Sequence, residues 1–215
     1  CWSDWSERPS APSFAAPWWC SVSEMTLGGR SGCAMMAAMP RRIFVDTEWT
    51  APPWSESSEL LSLGLADEAG ATWSAVAAEV DLGPLSGSSV VALITADQPR
   101  LTSPEMSAEV AAFCGDVDEF WAWIPTEESV AAWFGLDADE APELFARHWD
   151  VDLQHLQALV QPWPERWPTR LSNLRVAAEE AGVELPPRRP DHLNPRVHAE
   201  WNRELFERIR RSGDT

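Results

Sequence analysis

The spacing of apolar and polar positions changes character several times along the chain. Arg42–Asp46 is a short β-branched and aromatic run, and Glu59–Ala66 alternates with the period of a strand. Asp67-Glu68-Ala69-Gly70 carries a turn signal, and Ala71–Val80 supplies a third strand, so the three predict an antiparallel meander. The period then lengthens. Met106, Val110 and Phe113 stand at helical spacing within Pro104–Cys114. Glu119–Ile124 reads as an apolar strand, and Glu127–Gly135 begins another helix. Trp149–Leu153 alternates like a strand that leads into a helical run, Leu153–Val160. Beyond a proline-tryptophan loop, Pro162–Pro168, a helix is predicted over Arg170–Ala181, with Gly182 as its stop. A second proline-rich loop, Pro186–Pro190, precedes a final helix, Arg196–Arg211, whose Val197, Trp201, Leu205 and Ile209 mark the buried face. Strands first, then strands alternating with helices, predict a mixed α/β sheet, an antiparallel meander followed by parallel strands, with helices on its faces. No internal repeat is visible.

Residues 1–38 follow no such pattern. They are rich in Ser, Pro, Ala and Trp, and Met39-Pro40-Arg41-Arg42 immediately before a strand reads as a natural beginning. The expected organisation is a disordered or non-native extension over 1–38, a folded domain over 39–211 and a short tail, 212–215.

Composition narrows the function classes. The chain of 215 residues has 16 basic residues, all arginine, against 34 acids, for a net charge of −18. Residues 161–215 hold ten arginines and nine acids, so nearly all of the excess negative charge lies before them. Such acidity opposes a protein that grips long duplexes by general electrostatics. It is compatible with an enzyme that holds a short single-stranded end through metal ions, which supply positive charge locally. No apolar run is long enough to span a membrane. Cys1, Cys20, Cys33 and Cys114 follow no zinc spacing, which predicts a reduced, cytoplasmic protein.

The chemistry concentrates on Asp46 and Glu48. Two apart on a strand, they project from one face, where two carboxylates repel unless a cation lies between them; Mg²⁺ and Mn²⁺ prefer oxygen ligands. By itself an Asp-x-Glu pair more often marks a strand end turning into solvent, here before Pro52-Pro53.

The surrounding residues change that weighting. Phe44-Val45-Asp46-Thr47-Glu48-Trp49 followed by Glu59–Ala66 resembles the opening of the DEDDh-type 3′–5′ exonucleases of the ribonuclease-H-like superfamily. Within them the resemblance is closest to the actinobacterial poly(A)-specific exoribonucleases, the ribonuclease AS group. Glu119-Phe120-Trp121-Ala122-Trp123, Leu171-Ser172-Asn173-Leu174 and Ala199-Glu200-Trp201-Asn202-Arg203 follow in the order of that family's later motifs. The resemblance covers about residues 41–210 and weakens between Val80 and Asp118. It implies a ribonuclease-H-like fold, two Mg²⁺ or Mn²⁺ ions held by four carboxylates, a histidine base, a single-stranded nucleic acid substrate (RNA over DNA) and a homodimer. It places the third acid on Glu128. In the last motif it sets His198 where the family has aspartate and Leu193 where it has the histidine, with His192 one residue early. Asp191 lies nearby as a replacement carboxylate.

Two functions follow. In the first, Asp46, Glu48, Glu128 and His198 hold metal, His192 is the base, and Trp49 and Arg196 contact substrate by stacking and by phosphate binding. In the second, the altered last motif leaves a catalytically weakened domain that binds nucleic acid or a protein partner. Removing residues 1–38, which carry no periodic apolar pattern, is expected to leave the thermal midpoint unchanged. A midpoint that drops in calorimetry would place part of that segment in the core.

Overall fold

A computed structural model describes residues 40–83, 89–137, 141–187, 191 and 193–213. The meander forms as expected: β1 (Arg42–Trp49) pairs antiparallel with β2 (Leu60–Asp67), and β2 pairs antiparallel with β3 (Thr72–Ala77). A short helix, α1 (Ser89–Thr95), leads to a two-residue strand, β4 (Arg100–Leu101), parallel to β3. Helix α2 (Ser103–Cys114) follows, and then β5 (Glu119–Ala122), which runs parallel to β1. Helices α3 (Glu127–Phe134), α4 (Ala141–His148) and α5 (Val151–Leu159) precede β6 (Leu171–Asn173), parallel to β5. Helices α6 (Leu174–Ala181) and α7 (Pro195–Gly213) complete the chain. The sheet order is β4-β3-β2-β1-β5-β6, with β1 inside it. This antiparallel-then-parallel layout is the mixed sheet expected of a ribonuclease-H-like domain.

Two segments differ from the sequence expectation. The alternation of Trp149, Val151 and Leu153 imitates a strand, yet this stretch enters α5. Its buried residues, Asp152, Leu153 and Leu156, follow helical spacing, and the acid is among them. The helix expected from Arg170 begins at Leu174; Leu171–Asn173 pairs with β5, and the Asn173 side chain accepts hydrogen bonds from the Arg175 and Val176 amides to start α6. Helices α1 and α4 and strands β4 and β6 had no clear sequence signal. α4 is short and charged, and β4 and β6 are each too short to show a period.

The sheet's alternation divides the core. Ile43, Val45, Leu61, Leu63, Leu65, Phe120 and Ala122 join Met106, Val110, Leu153 and Leu156 on the face covered by α2 and α5. Phe44 and Ala66 join Leu174, Ala178, Ala199, Leu205 and Phe206 on the face covered by α6 and α7. Asp46, in phase with Phe44, therefore faces α7.

Gly64 sets how close α7 comes. It lies opposite Asp46 in the β1–β2 pair, and a Cβ there would sit 2.2 Å from the Pro195 carbonyl carbon and oxygen and 2.4 Å from the Arg196 nitrogen. Only a residue without a side chain lets the first turn of α7 rest on the sheet. Asn202, fully buried one turn further on, donates its side-chain amide to the Val45 carbonyl at 3.1 Å and locks the same register. Gly64→Ala is expected to lift α7 and lower stability by about 1–3 kcal/mol or more, the scale of an overpacked core. Urea unfolding checks this; an unchanged midpoint would mean that α7 adjusts freely.

Candidate active site

The carboxyl-terminal half of β1 gathers the ionisable side chains. Asp46 is buried at 8% exposure, and Glu48, two residues on, is partly buried. His198, in the first turn of α7, brings Nδ1 to 2.5 Å from Asp46 Oδ1. The other Asp46 oxygen, Oδ2, is buried and has no hydrogen-bond partner among the described residues.

A third acid enters from the opposite face. β5 pairs only with Arg42–Phe44, so beyond Phe44 this edge of β1 has no neighbouring strand. Asp152, in the first turn of α5, fills that position. Its Oδ1 accepts the Thr47 amide at 2.9 Å and the Thr47 hydroxyl at 2.6 Å. The Trp49 indole N–H donates to the same hydroxyl at 2.9 Å, so Trp49, Thr47 and Asp152 form one chain of hydrogen bonds that orients the carboxylate.

Electrostatics shows how closely the acids are coupled. Burial pushes the Glu48 carboxyl well above its usual range, and the negative charges of Asp46 and Asp152 push it further. Asp152 rises to about 7, first by burial and then by Asp46; the Thr47 hydrogen bonds and His198 oppose the rise without cancelling it. Burying three carboxylates together costs more than one histidine and one threonine return. A hard divalent cation is the partner such a donor set calls for, and the bare Asp46 Oδ2 offers it an oxygen. Among the described residues, no three His, Cys, Asp or Glu side chains stand as a ready-formed metal cage.

The structure brings Asp46, Glu48 and His198 together, as the sequence reading placed them. It does not bring Glu128 to them. That residue is exposed in the first turn of α3, beside the Thr126 cap, and the acids that act on Glu48 are Asp46 and Asp152. The assignment to Glu128 followed the family resemblance, in which the third acid opens the helix after the Trp121-Ala122-Trp123 strand. The helices α3 and α4 intervene, and of the three helices between β5 and β6 it is α5 that packs on β1. The signal for Asp152 was available as helical spacing to Leu156 and Val160, hidden by the strand-like alternation around it.

Trp49 is partly buried and stacks on His155 of α5, rings 19° apart and centroids 6.4 Å apart. Burial lowers His155 to about 4, so this imidazole is neutral at physiological pH. Arg196 is partly exposed and pairs with Glu200 at 3.5 Å along α7. His192 lies outside the described residues. Leu193 packs against the core cluster on the α2–α5 face, a contact that suits leucine and leaves no polar task at that position.

Neither a family model nor a curated protein sequence matches this chain. The site therefore stands on its own geometry.

The raised carboxyls give a pH signature. Glu48 and Asp152 hold protons more tightly in the folded chain than in the unfolded one. From the ordinary value of 3.8 for aspartate up to about 7, the folded chain carries the extra protons, and stability falls as pH rises through that window. Without divalent cations, the thermal midpoint should therefore drop from about pH 5 to about pH 7.5. Asp152→Asn should flatten the drop. A level profile in the unaltered chain would contradict the close packing of these acids.

Proposed function

We propose that this protein is a divalent-cation-dependent phosphodiesterase of the 3′–5′ exonuclease type, acting on single-stranded nucleic acid. One observation carries the reading: Asp46, Glu48 and Asp152 converge at the end of an inner strand, with Glu48 and Asp152 disfavoured as anions by burial and by neighbouring charge, and with an unpartnered buried oxygen on Asp46. Such a cluster is costly to fold and is retained where it binds a cation. Sequence resemblance to the DEDDh exonucleases supplies the direction of attack and favours RNA over DNA.

In this reading Asp46, Glu48 and Asp152 hold Mg²⁺ or Mn²⁺, which when bound would polarise the phosphate and lower the pKa of water. Thr47 and Trp49 fix the Asp152 carboxylate through their hydrogen bonds. Gly64 admits the first turn of α7 and so sets the distance from His198 to Asp46. His198 contributes a neutral or cationic ring where the family has a carboxylate, which lowers the negative charge offered to the metal and favours manganese, the better acceptor of nitrogen ligands. Trp49, joined to the Asp152 carboxylate through Thr47, is the aromatic side chain this reading assigns to stacking on a terminal base. No described helix is long and apolar enough to cross a membrane.

The second reading, a domain that binds nucleic acid or a protein but turns over weakly, is favoured by Leu193. Its packing into the core removes the histidine that the family uses as base.

A 5′-labelled oligoadenylate separates the two. With Mn²⁺ the protein should shorten it stepwise from the 3′ end. Asp46→Asn and Asp152→Asn should each slow the reaction by about 100-fold or more, the scale of single catalytic groups. Glu128→Gln should leave the rate unchanged. His198→Asp should raise activity with Mg²⁺, and adding Leu193→His should raise it further. An oligonucleotide that is bound but never shortened, even by the double variant, would favour the binding domain. Failure of Mn²⁺ to shift the thermal midpoint at all would remove the metal site.

A further inference from the structure

A second feature lies on the α7 face of the sheet, toward the opposite end of β1 from the carboxylates. Phe44, Glu68, Ala69, Arg203, Phe206 and Glu207 line a half-open pocket of about 270 Å³, with Arg210 at its edge. Its floor is aromatic: the Phe44 and Phe206 rings lie 5.4 Å apart, and the Arg42 guanidinium sits 5.1 Å over Phe206.

The charges around the pocket are paired unevenly. Glu68 is bound to Arg42 at 2.9 Å, and Arg42 also holds Glu119 at 2.7 Å. Glu207 accepts from Arg203 through one oxygen at 2.5 Å and from Arg211 through the other at 3.2 Å. Both lining carboxylates are thus engaged by guanidinium groups. Arg203 Nε is buried without an acceptor among the described residues, and Arg210 is exposed with no recorded ion pair there. The lining thus sets two guanidinium groups, Arg203 and Arg210, against two carboxylates that are each already held by a guanidinium.

We propose that this pocket binds a phosphate group, held by Arg203 and Arg210, with the aromatic floor beneath whatever the phosphate carries. Arg203 and Arg210 both line the pocket, and phosphate oxygens accept from guanidinium N–H groups in the charge-assisted geometry arginine favours. The site is separate from the carboxylate cluster and needs no metal. It stands whether or not the proposed nuclease activity does.

The shared chemistry is a phosphate dianion, free or carried on a nucleotide, and titration calorimetry distinguishes the sources. The protein is used as the full chain with Asp46→Asn and EDTA, so that metal-dependent binding at the acidic cluster is suppressed. Inorganic phosphate, adenosine 5′-monophosphate and adenosine are titrated separately at matched ionic strength. The phosphate-bearing ligands should bind and adenosine should not. Tighter binding of the nucleotide than of phosphate identifies a nucleotide pocket, and equal binding identifies a phosphate pocket; both support the proposal. Arg210→Gln, at an exposed position that folding does not need, should weaken binding by about tenfold or more. Arg203→Lys keeps the charge, removes Nε and should weaken it as well. Adenosine binding as tightly as its monophosphate, equal heat from chloride, or an unchanged affinity in Arg210→Gln would each overturn the assignment.

Discussion

The packing of three carboxylates around the end of β1 is the constraint on which the rest of this structure turns. Asp46 and Glu48 share a face because a strand repeats every two residues, and Asp152 arrives on the other side because α5 caps the edge that β5 leaves open. Burial raises Glu48 and Asp152; the charge of Asp46 raises both further, and Asp152 adds to the rise of Glu48. A fold optimised for stability alone would place apolar or neutral side chains here. The surrounding structure supports the cluster instead: the Thr47 hydroxyl, the Trp49 indole and the first turn of α7 each contribute one directed contact.

Those contacts depend on backbone proximity more than on the acids themselves. Gly64 has no side chain, so the Pro195 carbonyl and the Arg196 amide can rest against β2. Asn202 then ties α7 to the backbone of β1 through Val45. The consequence is a helix whose two ends serve different chemistry. Its first turn presents His198 to Asp46, and its later turns present Arg203, Phe206 and Arg210 around a second pocket.

In the proposed reading, His198 stands where the resembled family has a carboxylate and Leu193 where it has a histidine. Leucine belongs to the apolar cluster it packs against, so a polar base at that position would forfeit core contacts. His198 makes a polar contact with Asp46 without adding a further negative charge to the cluster. On that reading both residues ease the folded state at the expense of metal affinity, a trade between stability and activity common at strained sites.

The sequence by itself determined the sheet's core strands, the meander, the final helix and the pairing of Asp46 with Glu48, because each rests on a local period of two or of about four residues. It also pointed to His198 through its neighbours Ala199 and Trp201-Asn202-Arg203. Only the tertiary structure decided the third acid. Glu128 and Asp152 both stand in the first turn of a helix after β5, and the helical spacing from Asp152 to Leu156 is masked by the strand-like alternation around it; of these two helices, α5 is the one that packs against β1. The short strands β4 and β6 likewise exist through their neighbours, since two or three residues carry no period of their own. The pocket around Arg203 and Arg210 was equally beyond local reading, because its lining comes from strand, turn and helix segments far apart in the chain and joined only by the fold.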